Sequence, residues 1–515
     1  MLKRLFICLL LVAAVLSGCA VNPVTGKTEL SLVPESTELS IGREQYLPSR
    51  QIQGGDYTTE PAINAYVRGV GQRLAAVSDR KLPYEFSVIN DSTPNAWALP
   101  GGKIAINRGL LTELNSEAEL AAVLGHEIVH AAARHSAKSM ERGILLQGAV
   151  LAAGIASQNS QFAQMAVGGA TVGAGLITQK YGRDAEREAD YYGMQYMARA
   201  GYDPRAAVDL QQTFVRLSEG RSSDWLSGLF SSHPPSQQRV EANRQTASQL
   251  AAGGEVGRDR YQQQISPLVK AGDAYAAYDK GRKALEAGQT AEALTLAEQA
   301  LAAEPREALF HSLRGDVRFK QGRYQDAVVN YDRAVERNDA YFHYYLQRGL
   351  ALQELGQRER AVADLEYSTK LLPTAPALNA LGKSSLAQGN REQAKKYFSA
   401  AAESRSQPGQ EAAASLVRLD LPDNPQRYLK VRFGLDHRNY LLAEVVNGTP
   451  LAVTDVEIVV LIIDSAGHRQ QIPVRLPGRI GSRQAARVAT GIGPFADSKD
   501  LRGVQAAVTG ARIVK

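Results

Sequence analysis

The spacing of apolar residues changes several times along the first third of the chain, and each change predicts a different element. Between Pro61 and Val77 the apolar residues recur at helical spacing: Ile63, Val67, Val70 and Leu74. Residues 84 to 89 alternate between apolar and polar side chains, which predicts a strand. Two apolar runs on either side of Pro100-Gly101-Gly102 predict a hairpin over 95–107. This hairpin is either an edge for an extended peptide or an ordinary hairpin with a core face.

Residues 143 to 178 are rich in alanine and glycine and contain two apolar runs, Ile144 to Ile155 and Met165 to Ile177. Each run is short for a membrane span, and polar residues separate them. The pattern predicts two helices near a cleft, either close-packed or mobile. A hairpin that touches a membrane is the alternative.

Beyond residue 274 the pattern becomes periodic. Three sets of small residues recur every 33 or 34 positions: Gly281, Gly315, Gly349 and Gly382; Gly288, Gly322, Gly356 and Gly389; and Ala293, Ala327, Ala361 and Ala394. Glycine supplies the backbone freedom of the turn between helices, and alanine permits close helix crossings. A 34-residue repeat of this kind resembles the tetratricopeptide repeat, so four units over 274–405 are predicted to stack into an α-solenoid.

The last hundred residues contain four short apolar or alternating runs with turn residues between them: 428–433, 440–447, 453–463 and 471–476. Regular short strands of this kind predict a β-sandwich over 425–515. The polar, proline-containing stretch from 404 to 426 is interpreted as a linker between the repeats and the sandwich.

The candidate chemistry lies in a buried helix that contains His126-Glu127-x-x-His130. Ser116-x-x-Glu119 is a capping box that starts this helix ahead of the motif. Positions i and i+4 project from one helix face, so the two imidazoles can bind a single ion. Glu127 is suited to take a proton from a water molecule that zinc makes more acidic. The alternative is a pair of hydrogen-bonded core histidines.

A second charged helix is predicted around residues 183 to 190. Glu186 and Asp190 share one face because they are four residues apart, whereas Glu188 points elsewhere. Two histidines and Glu186 complete the His₂Glu set of a catalytic zinc site, and Asp190 is placed to accept an imidazole N–H. The alternative is a solvated charged helix. His135 follows His130 by five residues, off the ligand face, and is predicted at the surface.

Several motifs together resemble the HtpX and CAAX-prenyl-endopeptidase family of gluzincins, in particular its soluble periplasmic branch: His126-Glu127-x-x-His130, Glu186-x-x-x-Asp190, the 95–102 hairpin, and Ser232-His233-Pro234-Pro235 with Arg239. The likeness covers residues 22 to 239. It implies that His126, His130 and Glu186 bind zinc and that Glu127 is the general base. It also implies that His233 either stabilises the oxyanion or fills the open metal position at rest. From its proline-stiffened loop alone, His233 is as well explained as an inert residue.

The first eighteen residues are predicted to be a secretory leader, with Lys3-Arg4 before an apolar run from Leu5 to Leu16. The following Leu16-Ser17-Gly18-Cys19 resembles the bacterial lipobox, whose cysteine is lipidated, and the alternative is an ordinary cleaved signal peptide. Ala20 after the cysteine favours the outer membrane by the same resemblance. The only other cysteine is Cys8 in the leader, so no disulfide is available.

Overall composition adds little: 44% hydrophobic and 22% charged residues are ordinary for folded protein. The net charge of +6 comes without a basic cluster carrying interleaved aromatics, so nucleic acid is set aside as a partner.

The predicted fold is multidomain: a mainly α gluzincin metallopeptidase domain with a small β-sheet, an α-solenoid of tetratricopeptide repeats, and a C-terminal β-sandwich. The predicted boundaries are 1–18 for the leader, 19–50 for a tether and N-terminal segment, 51–265 for the peptidase domain, 274–405 for the repeats and 425–515 for the sandwich.

The predicted function is that of a periplasmic, lipid-anchored endopeptidase with one Zn²⁺ per chain. Its substrates would be unfolded or misassembled envelope proteins, and its repeats would recruit them or the outer-membrane assembly machinery. The rival hypothesis is a chaperone-like scaffold with a dormant zinc site. A prenyl-type endopeptidase is disfavoured because the sequence after the leader lacks convincing membrane spans.

Overall fold

The computed structural model describes residues 19–142, 180–220, 232–251, 253–463, 468–496, 501 and 503–514. The chain divides into two compact units: the first holds residues up to Gln357, and the second holds the residues from Pro373 onward together with most of helix Arg358–Leu371. The helices predicted between 143 and 178, and the leader, lie outside the described residues. Within those described, no helix is both long and apolar enough to cross a membrane.

The segment predicted as a tether contains regular structure. Two short antiparallel strands, β1 (Cys19–Val21) and β2 (Thr28–Leu30), precede helix α1 (Glu35–Ile52). Tyr46 of α1 donates a hydrogen bond to the carbonyl oxygen of Ile104 (2.7 Å), and its ring meets Trp97 edge-on with the centroids 6.0 Å apart. Helix α1 is therefore packed against the sheet of the peptidase region.

The predicted helix and hairpin are both present in that region. Helix α2 (Pro61–Ala75) buries the four apolar residues that predicted it. Strands β3 (Glu85–Ile89), β4 (Ala96–Leu99) and β5 (Lys103–Asn107) form a sheet in the order β3-β5-β4, with β3 parallel and β4 antiparallel to β5. Strand β4 is thus an edge of this sheet, and it lies beside the helix that carries the histidine motif.

The other described elements of the peptidase region are helical: α3 (Arg108–Leu111), α4 (Glu117–Ala132), α5 (Arg183–Arg199), α6 (Ala206–Gly220), α7 (Gln237–Gln249) and α8 (Arg258–Lys270). Helix α4 packs against α2, α5 and α6 and against strand β4. Every residue of α4 is buried. The histidine motif therefore lies in the middle of the core rather than at its surface.

The repeats begin as helix pairs in the first unit: α9 (Gly272–Glu286) with α10 (Thr290–Ala303), then α11 (Ala308–Lys320) with α12 (Tyr324–Arg337), and then α13 (Phe342–Glu354). The glycine set that includes Gly288 and Gly322 occupies the turns with positive φ (79° and 72°). The set that includes Gly315 lies inside the helices instead, where a Cβ atom would come within 2.6 Å of the Tyr331 ring. The two glycine sets therefore have different physical causes.

The second unit completes the repeats with α14 (Arg358–Leu371), α15 (Ala375–Ala387) and α16 (Arg391–Ala401). The linker prediction for 404–426 was wrong, because α17 (Gln407–Asp420) and the short α18 (Pro425–Tyr428) fill most of it. Proline suggested irregular chain there, but Pro408 lies in the first turn of α17, where its missing N–H has no helical partner to lose.

The C-terminal strands form two three-stranded antiparallel sheets. Their orders are β10-β7-β6 and β11-β8-β9, built from β6 (Leu429–Leu435), β7 (Leu441–Asn447), β8 (Val453–Ile463), β9 (Arg469–Leu476), β10 (Ala485–Ala489) and β11 (Gln505–Ile513). The central strands β7 and β8 contribute to one core, which contains Ala443, Val445, Ile458 and Val460. This is the predicted sandwich.

Candidate metal centre

The helix with the histidine motif starts where the capping box predicted. The Ser116 hydroxyl accepts a hydrogen bond from the Glu119 N–H (3.2 Å). The Glu119 carboxylate accepts a hydrogen bond from the backbone N–H of Asn115 (2.8 Å), one residue earlier than in the standard box. Together they satisfy N–H groups that the first helical turn leaves without partners, and so fix where α4 begins.

Two glycines allow the two ligand-bearing helices to approach closely. Gly125 of α4 faces Gly193 of α5, and a Cβ atom on Gly193 would lie 3.1 Å from the His126 nitrogen. Any larger residue at either position would push the helices apart. The glycine pair therefore sets the distance between the α4 and α5 backbones, and with it the distance between the metal-type side chains that the two helices carry.

Four donor side chains come together at this crossing: His126, His130, Glu186 and His233, whose ligand atoms all lie within 4.8 Å of one another. The Nε2 atoms of His126 and His130 are 3.0 Å apart. The nearest Glu186 carboxylate oxygens lie 3.6 Å from His126 Nε2 and 3.5 Å from His130 Nε2. The structure thus brings together the three residues that the sequence predicted as zinc ligands.

The chemistry and spacing of these donors fit zinc. Ligands at 2.0–2.1 Å around a tetrahedral zinc ion are about 3.3 Å apart, close to the distances between these atoms. One carboxylate oxygen of Glu127, Oε2, is buried and has no hydrogen-bond partner among the described residues. An orphaned buried oxygen beside four metal-type donors is expected where a water molecule and an ion belong.

Asp190 lies in hydrogen-bond contact with both His126 and Arg239. His126 donates its Nδ1–H to the Asp190 carboxylate (3.0 Å), which leaves Nε2 free to face the metal position. Arg239 donates two hydrogen bonds to Asp190 (2.7 and 2.8 Å) and lies 3.0 Å from Glu186 Oε2. Burial alone would raise the pKa of the Asp190 carboxyl, but the charge of Arg239 and the hydrogen bonds from His126 and Arg239 together outweigh burial, and the pKa is lowered.

The surface prediction for His135 was wrong: its side chain is buried. Its Nδ1 lies 2.8 Å from Nδ1 of His130, and its Nε2 lies 3.1 Å from Glu188 Oε1. With Nε2 of His130 facing the metal position, the bonds run from His130 Nδ1–H to His135 and from His135 Nε2–H to Glu188. Glu188 therefore also supports the site, although it lies off the face that carries Glu186.

A backbone turn explains why the spacing rule failed for His135. Helix α4 ends at Ala132, and Arg134 has a positive φ of 62°. The Arg134 side chain is held by the Glu38 carboxylate and by the Ser31 hydroxyl (2.6 Å). This left-handed turn directs His135 back beneath His130, whereas a continuous helix would have placed it on another face.

His233 occupies the fourth corner of the cluster. Its Nδ1 lies 2.9 Å from Glu186 Oε1 and 3.2 Å from His126 Nε2, and its Nε2 lies 3.7 Å from a Glu127 oxygen. Burial alone would lower its pKa, but the charges of Glu186 and Glu127 outweigh burial and raise it. These contacts do not suit an inert loop histidine.

Sequence reasoning gave no role to three residues that contact the cluster. The motif contains Arg239 without indicating its contacts, the helical spacing predicts His135 at the surface, and no local pattern marks Tyr181. The Tyr181 ring stacks on His130 (centroids 4.0 Å apart), and its hydroxyl forms a hydrogen bond with the Ser136 hydroxyl (2.8 Å). The sequence signal for Arg239 is its position in the first turn of a helix that the Ser236 cap starts directly after the His233 loop.

An apolar pocket opens beside the cluster. It is open to solvent, and His126, Glu127 and His233 are among its polar lining residues. Its walls are mainly apolar side chains from α4, α5 and α6: Ala122, Val123, Met194, Met197, Leu210 and Phe214. Methionine side chains adapt to differently shaped occupants, so the pocket suits varied apolar groups. Burial raises the pKa of Glu127 at its rim, toward the range of a general base.

Family comparisons agree with this geometry. A model of Peptidase family M48 matches residues 61–247, and tetratricopeptide-repeat models match 278–341 and 375–408. Family M48 is zinc-dependent, so the comparisons and the donor set indicate the same metal. The helical peptidase domain, the repeats and the small C-terminal sheets confirm the predicted fold class.

Individual relatives share different parts of the chain. The putative beta-barrel assembly-enhancing protease of Vibrio cholerae is 32% identical over 257 residues, which are 48% of this chain and 52% of that protein. The beta-barrel assembly-enhancing protease of Escherichia coli K12 is 26% identical over 393 residues, or 69% of this chain and 79% of that protein. Metalloprotease YcaL of E. coli K12 is 32% identical over 181 residues, or 33% of this chain and 67% of that protein. The chain thus spans about half the length of the Vibrio relative.

Proposed function

The chain belongs to peptidase family M48, a family of zinc metallopeptidases, and from this premise we propose that it is an endopeptidase acting in outer-membrane protein assembly. The observation that carries the proposal is the convergence of His126, His130 and Glu186 beside the buried carboxyl of Glu127. This arrangement provides two neutral nitrogens, one carboxylate and an adjacent base. It is the donor set of a hydrolytic zinc site.

Each residue has a distinct part in the proposed reaction. Zinc, when bound, makes water more acidic and polarises the carbonyl group of the scissile peptide. Glu127 takes the proton from the attacking water and passes it to the leaving amine. Asp190 fixes the tautomer of His126, while Arg239 keeps Asp190 ionised. Glu127 can act in this way because its Oε2 has no competing hydrogen bond among the described residues.

Two features support an extended polypeptide as substrate. Strand β4 is an edge of the sheet and lies beside α4, so a substrate strand could pair with it. The apolar pocket would then receive a side chain next to the scissile bond. Apolar side chains are accessible in unfolded or misassembled proteins, which accordingly are the proposed substrates.

The proposed location is the periplasmic face of the outer membrane, with an anchor through lipidated Cys19. The sequence of the leader supports the export signal and the anchor. Relatives named for β-barrel assembly support the setting. In this setting the repeats would bring misassembled envelope proteins, or the assembly machinery itself, to the peptidase.

The position of His233 favours a second candidate function. Its Nδ1 fills the corner that water and substrate need. A chain that stays in this state would act mainly as a chaperone-like scaffold whose repeats do the work. In the endopeptidase proposal the same contact is a resting state, and His233 moves away when substrate enters.

The test is the substitution Glu127→Gln in the full-length protein. We expect zinc content to remain at one per chain and cleavage of a denatured model protein to fall about 10²–10⁴-fold, the contribution of a positioned general base. Glu241→Gln is the matched control, because Glu241 is exposed on α7 and, among the described residues, its ion pair is with Arg244.

Undiminished cleavage by Glu127→Gln would contradict the mechanism. If the purified wild-type protein binds zinc but cleaves nothing, and cells carrying Glu127→Gln assemble their outer membrane normally, the scaffold function is correct instead.

A further inference from the structure

The second repeat carries a groove lined by arginines. Arg314 and Arg318 lie one turn apart on α11, Arg333 lies on α12, and Arg323 lies just before α12 begins. These four side chains line an open groove between the two helices together with Asp326, Val329 and Asn330. The groove shares no residue with the metal centre and has no part in the proposed cleavage.

The other repeats carry fewer positive charges at the same positions, with a cation only at the position of Arg314 in the first and third repeats. Arg314 is equivalent to Lys280, Arg348 and Leu381; Arg318 to Ala284, Leu352 and Ser385; and Arg333 to Gln299, Tyr367 and Ala400. Ala284 and Leu352 are buried core residues of their own repeats. At the position of Arg318, the second repeat therefore has an arginine where its neighbours use a side chain that packs the helices together.

Three of the four groove arginines have no carboxylate at ion-pair distance among the described residues. Arg314 donates to the amide oxygen of Asn330 (2.6 Å) and Arg318 to that of Gln321 (3.1 Å). Among the residues that the structure describes, these two guanidinium groups and that of Arg333 form no ion pair, while Arg323 pairs with Asp326. In the third repeat, by contrast, the equivalent Arg348 pairs with Asp332 (2.9 Å).

The charge of the groove affects neighbouring groups. Burial and the charges of Arg333 and Arg318 lower the pKa of Arg314, against the opposing charge of Glu298. His311, one turn before Arg314, has its pKa lowered to about 4 by burial and by Arg337, Arg314 and Arg333. Bringing like charges together in a partly buried groove opposes folding, and an anion in the groove would remove that cost.

We propose that this groove binds an acidic segment of an extended partner polypeptide. Arginine guanidinium groups recognise carboxylates through paired, directional hydrogen bonds, and several such groups in one groove suit a run of Asp and Glu side chains. A membrane surface fits less well, because among the groove residues only Val329 is a large exposed apolar side chain to enter lipid. The site concerns the repeats alone, so it does not depend on peptidase activity.

The test is binding of a fluorescent twelve-residue peptide of alternating Glu and Ser, followed by anisotropy. The protein is the full-length chain with Glu127→Gln, so that the probe cannot be cleaved. We expect the acidic peptide to bind, the same peptide with Gln for Glu not to bind, and affinity to fall as salt rises. Arg314→Gln and Arg333→Gln should each weaken binding about tenfold, the effect of one charge-assisted contact. Lys280→Gln is the matched control, because Lys280 holds the equivalent position in the first repeat.

A second variant separates binding from folding. Arg318→Leu introduces the residue that the third repeat has as Leu352, so it should keep or raise the melting temperature while it weakens peptide binding. Equal peptide binding by the wild type and all three arginine variants would overturn the proposal, as would no binding at all. Binding only to phosphatidylglycerol vesicles, lost in the same variants, would overturn it in favour of a lipid site.

Discussion

The charged side chains of the metal centre have oppositely charged partners, whereas most of those in the arginine groove do not. At the metal centre Arg239 contacts both Asp190 and Glu186, and every imidazole has a specific partner. In the groove Arg314 and Arg318 face amide oxygens of neutral side chains. Because an unpaired buried charge is costly, full pairing is needed where atoms must keep fixed positions. Partly exposed arginines without a counterion are tolerated in the groove, where the proposed acidic partner can supply the counterion.

The largest expected effect comes from breaking the paired region. Arg239→Met leaves the Asp190 and Glu186 carboxylates buried without their cation, and loss of one partner of a buried pair costs about 3–5 kcal/mol. The measurement is urea unfolding of the metal-free protein followed by far-ultraviolet circular dichroism, which reports on the helices of the peptidase region and of the repeats alike.

The matched control is Arg333→Met in the groove. It removes an exposed arginine that has no ion pair among the described residues, so it should change stability by no more than about 0.5 kcal/mol. An equal loss of unfolding free energy for Arg239→Met and Arg333→Met would show that ion pairing does not distinguish the two regions.

An intermediate effect, on zinc affinity, is expected from changing the hydrogen-bond partners of His126 and His130. His126 relies on a carboxylate backed by arginine, whereas His130 relies on His135 backed by Glu188. His135→Leu removes the acceptor of the His130 Nδ1–H and should weaken zinc binding about 10–100-fold, as measured against a chromophoric chelator.

His135→Asn is the corresponding rescue, because its side-chain oxygen can accept the same hydrogen bond. We expect it to recover most of the zinc affinity. If the Leu and Asn variants bind zinc equally, His135 only fills space.

The smallest effect concerns the dependence of stability on pH. Glu117, at the start of α4, accepts hydrogen bonds from Arg260 (2.7 Å), Tyr66 (2.7 Å) and Tyr202 (2.8 Å). Burial alone would raise the pKa of Glu117, but these bonds outweigh burial and lower it below its ordinary value of 4.5. A pKa depressed in the folded state stabilises the fold above that value, and the stabilisation is lost as the pH falls below it.

Glu117→Gln should therefore differ in stability from the wild type most at neutral pH, and the difference should shrink on acidification. This difference in unfolding free energy changes by at most about 1.4 kcal/mol per pH unit, the limit for one proton. Unfolding curves at pH 7, 5, 4 and 3 measure it. A difference that stays constant across these pH values would contradict the role given to the Glu117 carboxylate.

Much of the fold followed from local rules. Ile63, Val67, Val70 and Leu74 predicted α2, and the repeating glycines and alanines predicted the helix pairs, because the period of a helix decides which residues share a face. The same rule placed His126 with His130 and Glu186 with Asp190. The linker prediction came from composition instead, and it was wrong for residues 407–420, because a proline in the first turn of a helix resembles the start of a linker.

The sequence by itself determined the kinds of elements, the repeat length and the residues that share a helix face, since these depend on neighbours within one or two turns. Tertiary structure alone decided that α4 and α5 cross at Gly125 and Gly193, and that Arg239 pairs with Asp190. It also placed His135 beneath His130, through a turn at Arg134 that residues from the N-terminal segment hold in place. These contacts join residues far apart in the chain, and their stability comes from burial that exists only after the helices have packed.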